Sequence, residues 1–237
     1  MHTAFVESIP TPGNIIELEK RERDHLFKTL RCRCGEKLRL CDGNGTVAEA
    51  EATAERCIKV LSTQFFEPDS IELHVFAALP KNAKLDALLK PITEAGAGSI
   101  TPLKCRYSVS EKSEIPERWY TLLEEGCKQS GNPFLPRINN ALTVAEAIDH
   151  CIKNDIKIFF GAQHGILLLP ENLSHTGKLK MAWMVGPEGG FDEKELELLN
   201  RSGQGITLGK YIFRLENAAL AGTAYLLTIA RAAEKVQ

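Results

Sequence analysis

Two rhythms of apolar and polar positions divide the chain. Over residues 1–68 the apolar runs are short and broken by turn residues. Ile15-Ile16-Glu17-Leu18 reads as a strand, and Lys37-Leu38-Arg39-Leu40-Cys41 alternates apolar with polar side chains, the period of a half-buried strand. Asp42-Gly43-Asn44-Gly45 follows as a turn and Thr46-Val47 resumes extended chain. Short strands and turns predict a small β-rich barrel or sandwich, closed by a linker at Glu67-Pro68-Asp69-Ser70. From residue 71 on, buried-type strands alternate with helices. Residues 71–79 form a continuous apolar run, and 83–95 carry Leu85, Leu88, Leu89 and Ile92 at helical spacing, with Pro91 expected to bend or interrupt the helix. Residues 99–101 are extended and 119–129 helical, and Thr143-Val144-Ala145-Glu146 is a capping box that opens a helix to about residue 153. Residues 156–160, 182–185 and 206–208 read as strands, with helices starting at Asp192 and near Arg214. This alternation predicts an α/β domain over 71–237, its mostly parallel sheet covered on both faces.

Composition narrows the class. Of 237 residues, 43% are hydrophobic and 25% charged, enough to bury a core without staples. The chain holds no apolar run near the roughly 20 residues of a membrane span, and the first ten residues lack the basic-then-apolar pattern of a signal peptide, so residence in the cytoplasm is expected. Seven cysteines at irregular spacing, with Cys32 and Cys34 as C-x-C rather than C-x-x-C, read as reduced structural thiols and not as a metal site. The net charge of −2 argues against a nucleic-acid partner, but the distribution reverses that. Residues 20–39 hold Lys20, Arg21, Arg23, Lys28, Arg31, Arg33, Lys37 and Arg39 against Glu22, Asp24 and Glu36, a local balance of +5 that can grip phosphates or merely be a solvated face.

Three glycine patterns are candidates for chemistry. Gly43-Asn44-Gly45-Thr46-Val47-Ala48 fits a dinucleotide fingerprint, yet Asp-Gly between alternating runs is also a hairpin turn, and no β-α-β unit surrounds it. Gly186-Pro187-Glu188-Gly189-Gly190-Phe191 lies between a buried strand and a helix, with Asp192 and Glu195 at capping-box spacing. That places it at the carboxyl end of a strand, where open α/β sheets bind ligands. It lacks the Gly-Lys-Ser/Thr of a P-loop, and Glu188 would repel a phosphate, so a neutral or cationic ligand bearing adenine suits it. The third pattern is Leu208-Gly209-Lys210-Tyr211-Ile212-Phe213-Arg214-Leu215-Glu216-Asn217-Ala218, again a glycine between strand and helix, with Glu216 where the helix dipole favours an acid.

Five blocks in order then resemble one family. They are His25-Leu26 with Thr29-Leu30-Arg31, Gly35-Glu36-Lys37 and Asp42-Gly43; Lys90 with Thr93-Glu94, Gly96, Ile100-Thr101-Pro102, Arg106 and Ser108; Gln129-Ser130-Gly131 with Pro136; residues 186–191; and Leu208-Gly209 with Arg214 and Glu216. The chain is similar to the RsmE family, SPOUT-class enzymes that methylate uridine N3 in 16S ribosomal RNA. The resemblance implies a PUA-like RNA-binding barrel over 1–68 and a SPOUT domain over 71–237 with a deep trefoil knot. It further implies S-adenosyl-L-methionine as cofactor, 16S rRNA or the assembled small subunit as partner, a homodimer, and no metal. Cofactor contacts are expected from Val185, Gly186, Pro187, Glu188, Gly189, Gly190, Leu208, Gly209, Ile212, Phe213 and Asn217. RNA contacts are expected from Arg23, Lys28, Arg31, Arg33 and Arg106, and catalysis from Arg214 and Glu216. Small residues Ala218, Ala221, Gly222 and Ala224 would let a partner helix approach the last helix closely.

The chain departs from the family pattern at several positions. Tyr211 and Asn132 stand where arginine is usual, Asn217 where threonine is, Lys128 where glutamate is, and Ala95 and Ala97 where larger apolar residues are. The polar changes bear on substrate grip and rate. Three rival functions stay open here, in this order: another RNA methyltransferase of the class, such as a ribose 2′-O enzyme; an RNA-binding assembly factor whose site has decayed; and a dinucleotide-binding oxidoreductase built on Gly43–Ala48.

Overall fold

The computed structural model describes residues 1–79, 85–108, 115–173 and 177–234. Its contacts divide into two units, residues 1–68 with 124–135, and residues 69–123 with 136–237. The first unit is built on a five-stranded sheet of β1 (His2–Phe5), β2 (Ile15–Ile16), β3 (Lys37–Cys41), β4 (Thr46–Ala52) and β5 (Ile58–Phe65), paired in the order β1-β3-β4-β5-β2. Alternation decides which side is buried: Leu38, Leu40, Ala48, Ala50, Ile58 and Val60 meet Leu18 and Leu26 in one core. Gly43–Ala48, the apparent dinucleotide fingerprint, spans the turn of the antiparallel β3–β4 hairpin and the first residues of β4; the Asp42 carboxylate accepts from the N–H groups of Asn44 (2.8 Å) and Thr46 (3.0 Å).

One stretch read as strand and turn is helical instead. Lys20–Asp24 forms α1, continued by a wider turn over His25–Thr29. Arg31 closes it in the left-handed conformation (φ 57°), while the Cys32 N–H reaches back to Leu26 O at 3.1 Å. Glycine is the usual residue at such a position.

The second unit carries a parallel sheet of seven strands: β6 (Ile71–Ala78), β7 (Ser99–Lys104), β8 (Arg137–Ile138), β9 (Leu142–Thr143), β10 (Lys157–Ile166), β11 (Leu179–Val185) and β12 (Gln204–Ile206). The pairing runs β12-β10-β11-β6-β7-β8, with β9 also on β7. The helices are α2 (Asp86–Ala95), α3 (Glu117–Ser130), which runs from the second unit into the first, α4 (Val144–Lys153), α5 (Glu193–Ser202) and α6 (Leu215–Glu234). Pro91 lies within α2 without interrupting it. The expected strand over 206–208 ends at Ile206, which leaves Leu208 in the loop, and residues 83–84 of the expected second helix lie outside the described residues.

Register sorts the helices onto two faces. Trp183 pairs with Val75, and the Trp183 side chain meets α6; Phe76, one residue on, meets His150 of α4. α6 packs on α2, β6 and β11, while α4 packs on α5 and β10. The long apolar strands are therefore covered on both sides, and Trp183, Met184, Phe76 and Phe160 are all but fully buried. Burial of Cys105, Cys127 and Cys151 pushes each thiol up to about 12, so these cysteines are inert core groups.

Candidate functional site

The loops that carry the candidate chemistry all leave carboxyl ends of strands in the second unit. Residues 186–191 follow β11, residues 207–214 follow β12, and residues 105–108 follow β7. β10 lies between β11 and β12, and it meets β12 at close range: a side chain on Gly165 would sit 2.6–2.7 Å from backbone atoms of Ile206 and Gly205. Only glycine permits that approach.

Glu195 ties two of the loops together. In the capping box of α5, Asp192 Oδ1 accepts from Glu195 N (2.7 Å) and Glu195 Oε2 accepts from Asp192 N (2.9 Å). The other oxygen, Oε1, accepts from Arg106 N at 2.8 Å. One carboxylate thus holds the loop after β7 against the helix that follows the glycine loop. The glycine loop is open: Glu188, Gly189 and Gly190 are exposed, nothing lies within 4 Å of a Cβ at Gly190, and Gly190 has φ 78°, so its backbone can meet a ligand directly.

Trp183 joins the base of this loop to the third one. Its indole N–H donates to Ala218 O at 3.0 Å, in the first turn of α6. Arg214 precedes that turn and accepts from Ala218 N through its carbonyl at 2.8 Å. The Arg214 side chain is exposed and pairs with no acid among the described residues, and Glu216 lies in the first turn of α6. Tyr211 and Ile212 are 78% and 80% exposed, and Lys210 stands 5.7 Å from the centre of the Tyr211 ring.

Every expected cofactor contact except Val185 and Asn217 therefore lies on these loops. Val185 ends β11 with its side chain buried, which leaves its backbone as the usable part, and Asn217 is an exposed residue in α6. Arg106 belongs to the second unit, the other four expected RNA-binding residues to the first. Those four are not equivalent. Arg23 pairs with Glu17, and Lys28 with Asp24 at 2.8 Å. The side chains of Arg31 and Arg33 are exposed and have no ion-pair partner among the described residues.

Arg31 is the informative one, because its left-handed backbone carries a cost of about 1–2 kcal/mol that glycine would not incur. We expect Arg31→Gly to raise unfolding stability by about 1 kcal/mol and to lower the salt slope of RNA binding by about 0.7 for single-stranded RNA. Chemical denaturation and salt titration of RNA affinity measure the two effects. A salt slope equal to wild type would make Arg31 a solvated surface charge.

Two of the departures do structural work inside the first unit. Lys128 forms a buried ion pair with Glu22, which also accepts from Phe5 N at 3.0 Å. Asn132 Oδ1 accepts from Phe134 N at 3.0 Å. The docking of residues 124–135 was invisible in the periodicity, because α3 continues through the division.

The RNA methyltransferase domain family matches residues 67–227, from just before β6 to well inside α6. The chain belongs to this family. Both glycine loops and the Arg106 loop fall within the match. Among relatives, the Ribosomal RNA small subunit methyltransferase E of Rickettsia conorii is 28% identical over 244 residues, spanning 98% of this chain and 97% of that protein. The protein of the same name from Synechocystis is 26% identical over 227 residues, 89% of this chain and 73% of that one. Among solved structures, a Neisseria gonorrhoeae Ribosomal RNA small subunit methyltransferase E bound to S-adenosyl methionine superposes with a TM-score of 0.85 at 23% identity, covering 97% of this chain and 98% of that one. The RsmE resemblance read from the five blocks agrees with these relatives along nearly the whole chain. Sequence reading overlooked Tyr107 and Glu195's second role, both of which depend on long-range contact between loops.

Proposed function

We propose that this chain is an S-adenosyl-L-methionine-dependent methyltransferase acting on uridine N3 of 16S ribosomal RNA in the small subunit. One observation carries the reading: the RNA methyltransferase domain, residues 67–227, contains an open glycine loop at the carboxyl end of β11 and, at the start of α6, an exposed arginine with no acid partner among the described residues, bridged by Trp183. Relatives named as small-subunit methyltransferases support the substrate, and the neighbour bound to S-adenosyl methionine supports the cofactor.

The residues fit that cofactor. Exposed peptide groups at 188–190 can read an adenine edge, and exposed Ile212 and Phe213 offer it apolar cover. When bound, the cofactor supplies a methyl group on a positively charged sulfur. The protein's share is to make the base a nucleophile. Uridine N3 is an imide N–H and attacks only as the imidate anion. Arg214 stabilises the charge that develops on the uracil oxygens, as preorganised electrostatics. Glu216 accepts the N3 proton or orients Arg214.

The same reading assigns residues 1–68 as a PUA-like RNA-binding barrel and 71–237 as a SPOUT domain with a trefoil knot; the close passage of Gly165 over β12 suits such threading. It also assigns a homodimer and a cytoplasmic location, and no helix among the described residues is long and apolar enough to cross a membrane. The α6 face for the second copy is narrower than the small residues suggest. Ala218 and Gly222 are committed to Trp183 of the same chain, so Leu220, Ala221 and Ala224 remain for the partner.

Reverse transcription across 16S rRNA from cells with and without the gene tests the function. N3 methylation blocks the pairing edge and should leave a gene-dependent stop. Ribose methylation leaves that edge free, and absence of any gene-dependent methyl group would make the chain a binding factor only. For the cofactor, Gly189→Val should weaken S-adenosylmethionine binding at least about tenfold, roughly 1.4 kcal/mol. Calorimetry measures it, and unchanged affinity would remove residues 186–191 from the cofactor site.

A further inference from the structure

The three loops leave one feature unused by the methyl-transfer chemistry. Tyr107, 56% exposed, has its Cβ, Cγ and Cδ2 within 3.7–3.9 Å of where a Gly189 Cβ would lie, so one side of it rests on the glycine loop. The rest faces a cavity of ≈ 550 Å³ lined by Arg106, Tyr107, Asp192, Glu193 and Lys194. An exposed aromatic ring on a loop has a large apolar surface and an entropic reason to be mobile; here the loop is fixed, because Arg106 N donates to Glu195 at 2.8 Å. Arg106 and Lys194 flank the ring, and neither is ion-paired among the described residues. The same lining carries two carboxylates: Asp192 Oδ1 is occupied by its capping bond to Glu195 N, and Glu193 is exposed in the first turn of α5, where the helix dipole offsets its charge.

A held ring with an open side, flanked by two cations without an ion-pair partner among the described residues, matches the chemistry of one ligand class, a nucleotide whose base stacks while its flanking phosphates are neutralised. S-adenosylmethionine has no phosphate and would leave those cations unused. We propose that Tyr107 is a stacking platform for a base of single-stranded RNA entering beside residues 186–191, with Arg106 and Lys194 on its phosphates. This assignment rests on reading the site as one that acts on RNA.

The test uses the full chain with a fluorescent oligouridylate as probe, alongside calorimetry with S-adenosylmethionine. Tyr107→Ala should lose roughly 5- to 150-fold in oligouridylate affinity, the range for one stacked base. Tyr107→Phe should stay within about threefold of wild type, since the ring suffices, and Tyr107→Leu should fall close to the alanine variant. Cofactor affinity should be unchanged in all three. Oligouridylate affinity unaltered in Tyr107→Ala overturns the proposal, and so does a loss confined to the cofactor, which would give the ring to adenine. A Tyr107-dependent affinity in a chain that leaves no methyl group on 16S rRNA would refute the proposed function and retain the platform. Gene-dependent methylation with a neutral Tyr107→Ala would do the reverse.

Discussion

Arg214→Ala should slow single-turnover methyl transfer to unmodified small subunits by about 100- to 1,000-fold, roughly 2.7–4 kcal/mol of barrier, the cost of losing one preorganised donor to a developing anion. The geometry makes the variant easy to interpret. The side chain is exposed and pairs with no acid among the described residues, while the bond that starts α6 is made by the Arg214 carbonyl, which alanine keeps. The loop's other cation is Lys210, placed over the Tyr211 ring. Arg214→Lys should recover only part of the rate, because it keeps the charge and loses the planar fork. Cofactor affinity should change little. A loss below about tenfold, some 1.4 kcal/mol, would transfer the role to another residue, with Lys210→Ala as the next measurement. A collapse of cofactor binding would instead make Arg214 a cofactor ligand.

The largest stability effect should come from Gly222→Ala. In the middle of a helix alanine normally gains about 1 kcal/mol over glycine. Here its methyl carbon would lie 2.1–2.4 Å from three atoms of the Trp183 indole, a ring with no exposed surface into which to retreat. Overpacking of this kind costs typically about 1–3 kcal/mol. If the ring shifts, its N–H loses Ala218 O, and a buried donor without a partner costs about 1–3 kcal/mol more. Urea unfolding of the variant should show a midpoint well below wild type. Trp183→Phe in the same chain should restore part of the loss, because the smaller ring vacates the space. Stability within about 0.5 kcal/mol of wild type, the range of an ordinary surface change, would mean that the indole has another place to go. The same variant should impair methyl transfer, since Trp183 links the end of β11 to the turn that presents Arg214.

The amino-acid sequence by itself determined the elements whose signals are local. Continuous apolar runs marked β6 and β11, and Thr143 and Asp192 announced the starts of α4 and α5, where the structure has both capping boxes complete. It also placed residues 186–191 at a strand's carboxyl end, because strand, glycines and capping box follow one another directly. The Asp-Gly turn outweighed the dinucleotide pattern for the same local reason.

Tertiary structure decided what depends on residues far apart in the chain. The helical turns over 20–29 are short, and Leu26 joins a core supplied by strands; without that burial their periodicity is too brief to detect. Arg23 and Lys28 find acid partners only six and four residues away, but which nearby acid pairs is settled by tertiary contact, since Glu22 is committed to Lys128, and no local signal holds Arg31 at positive φ. The small residues of α6 looked like a single surface, until Trp183, thirty-nine positions before Gly222 in the sequence, proved to fill part of it. Tyr107 gains its meaning only from the bond between Arg106 and Glu195, 89 residues apart. Local chemistry sets where a strand ends and a helix begins; which loops those ends bring together depends on the strand order β12-β10-β11-β6-β7-β8, a property of packing that no window of sequence contains.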